Sequence, residues 1–200
     1  MPLSNRLAQS ADDWQVQLRN VITSRRELLD TLELSADDVG FSGGALEDFP
    51  LKVPRSFVQR MRPGDPRDPL LLQVLSSKQE MADTAGYSSD PVGESGATNP
   101  RRGIMHKYHG RVLLIVSGGC AVNCRYCFRR HFPYNENLNS RQQWHEALDY
   151  IRADNSIEEV ILSGGDPLVA TDEQLQQLIE QIAAIAHVQR LRIHSRLPVV

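Results

Sequence analysis

The sequence predicts an α/β fold in which a parallel sheet follows a helical extension. Three observations predict it: strand-length apolar runs recur in the C-terminal half, helix-length segments with an apolar stripe separate them, and the preceding region shows helical spacing. Alternation of strand and helix builds a parallel sheet with right-handed crossovers. We therefore expect two domains, a helical extension and linker over residues 1–105 and an α/β core over residues 106–200.

Composition excludes several classes of function. The chain has 200 residues, 40% of them hydrophobic, and a net charge of −3, so it lacks the basic footprint of a nucleic-acid-binding protein. No apolar run approaches the ~20 residues of a membrane span, and the N-terminal segment lacks the apolar core of a signal peptide. We expect a cytoplasmic protein, in which clustered thiols stay reduced.

The extension is predicted to begin with one long amphipathic helix. Ser10 can cap it, with Asp13 as the return partner of a capping box, and apolar residues recur at helical spacing over residues 14–32. A second short helix is expected near Pro54, and a turn-rich RPGDPRDP segment precedes the helical LLLQVLSSKQ. The polar segment over residues 81–105 has no periodicity and predicts a long loop.

The core is predicted to contain three strands separated by two helices. Strands are expected at residues 112–116, at EEVILS and at VQRLRIHS, because each is an apolar run of strand length. One helix is expected over residues 142–153, where apolar residues share one side. Another is expected after Thr171, which can cap a segment with an apolar stripe.

Candidate binding residues follow the carboxyl end of each predicted strand. They are a cysteine loop after the first strand, Ser163, Gly164, Gly165 and Asp166 after the second, and Ser195 and Arg196 after the third. Ligands of open parallel sheets bind at this edge. The two glycines would let a ligand approach the backbone, with freed amides and carbonyls that can hold a zwitterion, although a plain turn before a helix uses the same residues.

The cysteine loop contains all three cysteines of the chain, Cys120, Cys124 and Cys127. Their C-x3-C-x2-C spacing lets one loop aim three thiolates at a common point, as an iron–sulfur cluster or a metal requires. A [4Fe-4S] cluster held by three cysteines leaves one iron open to a ligand. A zinc site completed by His131 is the main alternative. Three unrelated buried cysteines are a weaker one.

This loop resembles the radical S-adenosylmethionine (radical SAM) signature C-x3-C-x-aromatic-C, with Tyr126 in the aromatic place. The resemblance implies a [4Fe-4S] cluster whose open iron binds the methionyl end of SAM. It also implies that the glycine motif around Gly164 and Gly165 holds the amino group of SAM. The fold expected from it is the first half of a radical SAM (β/α)6-type barrel.

From about Phe49 onwards the chain resembles the lysine 2,3-aminomutase family, in YHGRVLLIVSGGC, CRYCFRRHF, VILSGGDPL and RIHSRLPVV. That family also uses pyridoxal 5′-phosphate (PLP). The resemblance puts Tyr108 and Arg111 at the PLP phosphate and Arg129 at the substrate carboxylate, a role that Arg130 could share. Ordinary explanations remain open: an aromatic at a strand edge for Tyr108, a solvated charge for Arg111, and a partner of the cluster's charge for Arg129.

The segments VPRSFVQRM and DPVGE resemble the branch that makes (R)-β-lysine for elongation factor P. The resemblance implies an isomerase that moves the α-amino group of L-lysine from C2 to C3 after a 5′-deoxyadenosyl radical removes a hydrogen. Expected partners are an electron donor such as a flavodoxin or ferredoxin, and elongation factor P with its ligase. Alternatives are another radical SAM enzyme acting on an amino acid, and a non-catalytic Cys3His zinc domain.

One departure from the family concerns the lysine that binds PLP. In the family it lies far beyond the glycine motif, whereas the lysines of this chain, Lys52, Lys78 and Lys107, all precede the cysteines. Radical SAM barrels also have more strands than the three predicted here. We therefore expect this chain to be the N-terminal portion of a longer enzyme, with no catalytic residue assigned within it.

Overall fold

The structure is a computed structural model that describes residues 14–40, 49–82, 84–94, 98–134 and 144–200. The predicted helix cap of Ser10 and Asp13 lies outside these residues. Two compact units divide the chain. The helical unit contains the described residues up to Tyr87, Ala121–Cys127 and Val200, and the sheet unit contains the described residues of Ser88–Cys120 and Phe128–Val199. The predicted domain division at residue 105 stays a prediction.

The helical unit consists of short helices. They are α1 Trp14–Arg19, α2 Arg25–Thr31, α3 Arg55–Val58 and α4 Leu71–Val74, with a 3-10 helix at Lys78–Met81. The helix expected near Pro54 is confirmed, since α3 begins at the next residue. No helix within the described ranges is long and apolar enough to cross a membrane.

The prediction of one helix over residues 14–32 is wrong, because the chain breaks between α1 and α2. Ile22 exchanges two backbone hydrogen bonds with Val53, of 2.8 and 3.0 Å, which takes it out of helical geometry. Ser24 then caps α2, its hydroxyl accepting a hydrogen bond from the amide of Glu27 at 3.4 Å. Only the second part of this apolar pattern is buried: Ile22 and Leu28 are fully buried in one core, whereas α1 has no buried residue.

The sheet unit is built on four strands in the order β1-β2-β3-β4. They are β1 Ile104–Tyr108, β2 Arg111–Ser117, β3 Glu159–Gly164 and β4 Arg190–Ile193. The predicted parallel arrangement of β2, β3 and β4 is confirmed. β1 begins at the end of the segment predicted as a loop, since Ile104 and Met105 belong to both, and it was not predicted as a strand. It pairs antiparallel with β2, through a hairpin turn in which Gly110 has a φ of +74°.

Two helices of the sheet unit, α5 Trp144–Ala153 and α6 Asp172–Ala183, pack on one face of this sheet. Thr171 caps α6 as predicted, because its hydroxyl accepts a hydrogen bond from the amide of Gln174 at 3.3 Å. The strand residues under the helices are Val112, Leu114, Val160 and Leu162. Since side chains alternate along a strand, the residues between them belong to the opposite face, which carries the candidate site.

Candidate functional site

The loops that follow β2 and β3 are joined backbone to backbone. The amide of Gly165 donates a hydrogen bond of 2.6 Å to the carbonyl of Ser117, and the amide of Asp166 donates one of 2.8 Å to the carbonyl of Gly119. Cys120 follows Gly119 directly. The structure therefore brings the loop that carries the first cysteine together with the glycine motif, as the position of both at strand ends predicts.

Glycine is required at both central positions of the SGGD motif. Gly164 has a φ of +119°, and a Cβ there would lie 2.4 Å from the carbonyl oxygen of Ser117. A Cβ on Gly165 would lie 2.3 Å from the carbonyl oxygen of Gly119. Glycine is thus needed at both positions because the backbone of Ser117 and Gly119 packs against them.

The prediction that freed amides of this motif hold a ligand is wrong for Gly165 and Asp166, whose amides donate to protein carbonyls. Carbonyl oxygens remain the suitable groups, since each has two lone pairs and can bind an ammonium group. The carbonyl of Gly164 already accepts a hydrogen bond of 2.9 Å from the hydroxyl of Tyr134.

The Asp166 carboxylate links the loop after β3 to the loop after β4. It is 3% exposed and accepts hydrogen bonds from the hydroxyl of Ser195 at 2.7 Å and the amides of Arg196 and Leu197 at 2.7 and 2.9 Å. The amide of Leu168 donates a fourth, of 3.0 Å. Asp166, Ser195 and Arg196, which the sequence predicts at the same edge of the sheet, are therefore in contact, and the Asp166 carboxylate binds protein donors.

Arg129 is a buried arginine in the loop that follows the last cysteine. Its Nε and Nη2 donate hydrogen bonds of 2.6 and 2.8 Å to the two carboxylate oxygens of Glu94, and its Nη1 donates one of 3.2 Å to the hydroxyl of Ser163. The centre of its guanidinium lies 4.7 Å from the ring centroid of Phe128. Glu94 thus makes a bidentate contact with the arginine that the family resemblance assigns to the substrate carboxylate.

A cavity of about 310 Å³ lies on the face of the sheet opposite the helices. Its charged and aromatic lining residues are Glu94, Lys107, Tyr108, Arg111, Arg129, Arg192 and His194, with Met105, Leu113 and Ile161 among the apolar ones. Three of the predicted ligand-binding residues, Tyr108, Arg111 and Arg129, therefore share one cavity. Because four of its lining side chains are cationic and one is acidic, this cavity suits an anionic ligand.

A buried carboxylate organises the basic wall of this cavity. Glu159, 6% exposed, lies between two arginines, 3.6 Å from Nε of Arg111 and 3.3 Å from Nη1 of Arg192. Nη2 of Arg192 is 3.0 Å from Nε2 of His194, a geometry in which a neutral imidazole accepts the hydrogen bond. Burial lowers the pKa of His194, and the nearby charges of Arg192 and Arg129 lower it further, although Glu159 raises it.

The cysteines are half-buried, and none of the three is in a disulfide. Cys124 and Cys127 belong to the helical unit and share one turn, since the amide of Cys127 donates a hydrogen bond of 2.9 Å to the carbonyl of Cys124. Cys120 belongs to the sheet unit, as does His131. Across the described ranges, no group of three or more His, Cys, Asp and Glu side chains forms a ready metal site.

The turn that carries Cys124 and Cys127 is anchored within the helical unit. The amide of Arg125 donates a hydrogen bond of 2.9 Å to the carbonyl of Gln73, and the Arg125 side chain pairs with Glu80 at 2.8 Å. Tyr126, in the predicted aromatic position, is exposed and donates a hydrogen bond of 3.3 Å to the side chain of Gln73. Two thiols on one anchored turn are suitable donors for an iron–sulfur cluster, which binds cysteine thiolates.

Sequence reasoning missed several residues of the cavity. Glu94 ends the DPVGE segment and Lys107 does not match the position of the PLP lysine, so neither residue is predicted to line a ligand cavity. Arg192 and His194 alternate on the third predicted strand, a polar pattern on a sheet face that could have marked them as lining residues.

Comparisons with known proteins agree with the motifs. A family model described as the radical SAM superfamily matches residues 114–199. The L-lysine 2,3-aminomutase of Escherichia coli (strain K12) is 52% identical over 192 residues, which are 96% of this chain and 56% of that protein. The L-lysine 2,3-aminomutase of Haemophilus influenzae is 50% identical over 188 residues, 94% of this chain and 55% of that protein.

A more distant relative is the L-lysine 2,3-aminomutase of Clostridium subterminale, 32% identical over 190 residues, 94% of this chain and 45% of that protein. The chain spans about half the length of the curated relatives it matches. Residues 114–199 of the α/β fold therefore match the radical SAM superfamily, and they contain all three cysteines and the glycine motif.

Proposed function

We propose that this chain forms part of a lysine 2,3-aminomutase, an isomerase that moves the α-amino group of L-lysine from C2 to C3. The observation that carries the proposal is the C-x3-C-x2-C loop directly after β2, in a chain 52% identical to the Escherichia coli L-lysine 2,3-aminomutase. When bound, the cluster and SAM would supply the 5′-deoxyadenosyl radical, and PLP would carry the migrating amino group. The protein supplies binding and orientation.

In this proposal Cys120, Cys124 and Cys127 bind the cluster, with Tyr126 beside them. Carbonyl oxygens of the Ser163–Asp166 motif bind the amino group of SAM. Support comes from the hydrogen bonds between that motif and Ser117 and Gly119, which fix it next to the first cysteine. Ser195 and Arg196 complete the site from the loop after β4, where the Asp166 carboxylate accepts hydrogen bonds from the Ser195 hydroxyl and the Arg196 amide.

The cavity of the sheet unit is the proposed site of PLP and substrate. Tyr108 and Arg111 bind the PLP phosphate, and Arg129 binds the lysine carboxylate. The basic lining supports this assignment, because a phosphate and a carboxylate both need cationic or hydrogen-bond donors. Glu159 keeps Arg111 beside this cavity by pairing with its guanidinium.

The finer assignment is that the product is (R)-β-lysine, destined for elongation factor P through a dedicated ligase, in the cytoplasm, with a flavodoxin or ferredoxin as electron donor. Its support is the likeness of VPRSFVQRM and DPVGE to that branch of the family. A cell-free transfer assay tests it: the product should modify elongation factor P when the ligase is added. Product that the ligase rejects would contradict this assignment and leave the aminomutase proposal standing.

The proposed activity is tested by turnover of the anaerobically purified full-length enzyme with L-lysine, SAM, PLP and a reductant. Chiral chromatography should detect β-lysine in the R configuration, and this product should form only when SAM is present. SAM cleavage without any change of lysine would instead support a radical SAM enzyme acting on another amino acid. Zinc in place of iron, with no SAM cleavage, would support the non-catalytic zinc domain.

A further inference from the structure

Glu94 and Arg129 form an ion pair that is buried within the sheet unit. The exposed fractions of the two side chains are 15% and 9%, and the carboxylate binds the guanidinium through both of its oxygens. Such planar bidentate pairs combine two charge-assisted hydrogen bonds with a fixed orientation. Arg129 therefore has a defined guanidinium plane before any ligand binds.

The segment that carries Glu94 is itself held in place. The amide of Glu94 donates a hydrogen bond of 2.8 Å to the carboxylate of Asp90, and its carbonyl accepts one of 2.9 Å from the side chain of Asn99. The ammonium of Lys107 binds the carbonyl of Val92. The His106 amide donates a hydrogen bond of 2.8 Å to the carbonyl of Thr98. Because these contacts tie the segment to β1, the Glu94 carboxylate is anchored.

This arrangement decides which part of Arg129 faces a ligand. A guanidinium has five N–H donors. In the described contacts Glu94 uses two of them and Ser163 uses one, which leaves two for a bound carboxylate. The Phe128 ring, whose centroid lies 4.7 Å from the guanidinium carbon, further limits the orientations that the guanidinium can adopt. Both Glu94 and Arg129 line the cavity, so the remaining donors lie beside the ligand volume.

We propose that Glu94 is a positioning residue for substrate recognition: it fixes Arg129 so that the free edge of the guanidinium receives the carboxylate of the amino-acid substrate. This inference rests on the proposed function. The inference also specifies how the substrate would bind Arg129. The substrate carboxylate accepts hydrogen bonds from the guanidinium N–H groups that Glu94 does not use, and Glu94 stays in place. Removing the anchored carboxylate would leave a buried arginine free to turn away.

The test uses the full-length holoenzyme with Glu94→Gln and Glu94→Asp. Glutamine keeps the size but loses the charge, while aspartate keeps the charge but is one methylene shorter, so its carboxylate reaches less far toward the Arg129 donors. We expect the KM for lysine to rise roughly tenfold to a hundredfold in Glu94→Gln, the effect of one weakened charge-assisted hydrogen bond, with a smaller change in kcat. Glu94→Asp should give an intermediate KM.

Two further measurements separate positioning from a general structural role. Lysinamide lacks the carboxylate, so its inhibition constant should stay close to the wild-type value in Glu94→Gln while the KM for lysine rises. Glu27→Gln is the matched control, because it breaks the exposed ion pair of Glu27 with Arg55 in the helical unit. It should leave the KM unchanged. Cluster content and SAM cleavage verify that each variant is folded.

The outcomes are distinguishable. A wild-type KM in folded Glu94→Gln or Glu94→Asp overturns the positioning role while the proposed function stands. A lower KM overturns it too, and would show that Glu94 competes with the substrate for Arg129. An equal loss of affinity for lysine and lysinamide would show a structural role only. Absence of lysine turnover in the wild-type enzyme would reject the proposed function itself.

Discussion

Gly165 lies so close to Gly119 that a Cβ at Gly165 would be 2.3 Å from the Gly119 carbonyl oxygen. That carbonyl also accepts the amide of Asp166 at 2.8 Å. The glycine motif after β3 and the loop before Cys120 are thus one packed unit of backbone. A substitution that displaces the backbone of one loop is therefore expected to displace the other loop as well.

Gly165→Ala should destabilise the protein, because the added methyl group meets backbone atoms that cannot rotate away. Overpacking of this kind costs about 1–3 kcal/mol, and occasionally more. Chemical denaturation of the full-length protein should show a lower free energy of unfolding, and the cluster content should fall because the Cys120 loop must move.

Gly119→Ala is the matched control for Gly165→Ala, since it alters the other partner of the same contact. The nearest atom to a Cβ on Gly119 is the Ser117 hydroxyl, at 3.9 Å. We expect the free energy of unfolding to change by less than in Gly165→Ala. Equal losses in the two variants would show that the close approach of Gly165 to the Gly119 backbone is not the cause of the destabilisation.

Asp166→Asn should separate the loops after β3 and β4. The buried carboxylate accepts hydrogen bonds from the Ser195 hydroxyl and from the amides of Leu168, Arg196 and Leu197, and an asparagine amide would face some of these donors with a donor of its own. Loss of a charged acceptor from buried hydrogen bonds costs roughly 1.5–3 kcal/mol. Thermal unfolding measures the change.

Asp149→Asn provides the comparison for Asp166→Asn, since Asp149 pairs with Arg152 on the exposed side of α5. Exposed pairs contribute about 0–1 kcal/mol, so this variant should unfold close to the wild type. An Asp166→Asn protein as stable as Asp149→Asn would mean that the Asp166 carboxylate does not hold the two loops together.

The sequence was sufficient for the parallel core because its signals are local. β2 and β3 are apolar runs, and Thr171 with Gln174 forms the capping box that starts α6. Since parallel strands share one carboxyl edge, their order along the chain also predicted that Asp166, Ser195 and Arg196 lie at the same edge, where the structure shows them in contact.

Features that depend on pairing between distant parts of the chain could not be predicted from the sequence. β1 contains polar residues and becomes a strand only by pairing with β2. Glu94 lies 35 positions from Arg129, and nothing in a polar segment marks which carboxylate a distant arginine will bind. The sequence alone predicts that Gly164 and Gly165 make room for a ligand. It cannot show that the backbone of Ser117 and Gly119, from another loop, occupies that space instead.

His194 should make stability sensitive to mild acid. Burial and the charges of Arg192 and Arg129 lower its pKa in the folded state below the unfolded value of about 6.5, so the unfolded chain binds a proton first as the pH falls. The free energy of unfolding should therefore be unaffected by this group above pH ~6.5 and decrease below it. Denaturant titrations at neutral pH and at mildly acidic pH measure the decrease.

His194→Asn should reduce this acid sensitivity, because asparagine does not titrate. His145→Asn, on the exposed side of α5, is the control and should keep the wild-type pH dependence. If His194→Asn and the wild type lose stability equally between the two pH values, another group causes the decrease.

The central claim is that the three cysteines bind an iron–sulfur cluster, and metal analysis of anaerobically purified full-length protein tests it most directly. The wild type should contain about four iron and four acid-labile sulfide atoms per chain. Cys120→Ala, Cys124→Ala and Cys127→Ala should each lose both, since each removes one of three ligands, whereas His131→Ala should retain them. Zinc in the wild type, lost in His131→Ala, would contradict the claim.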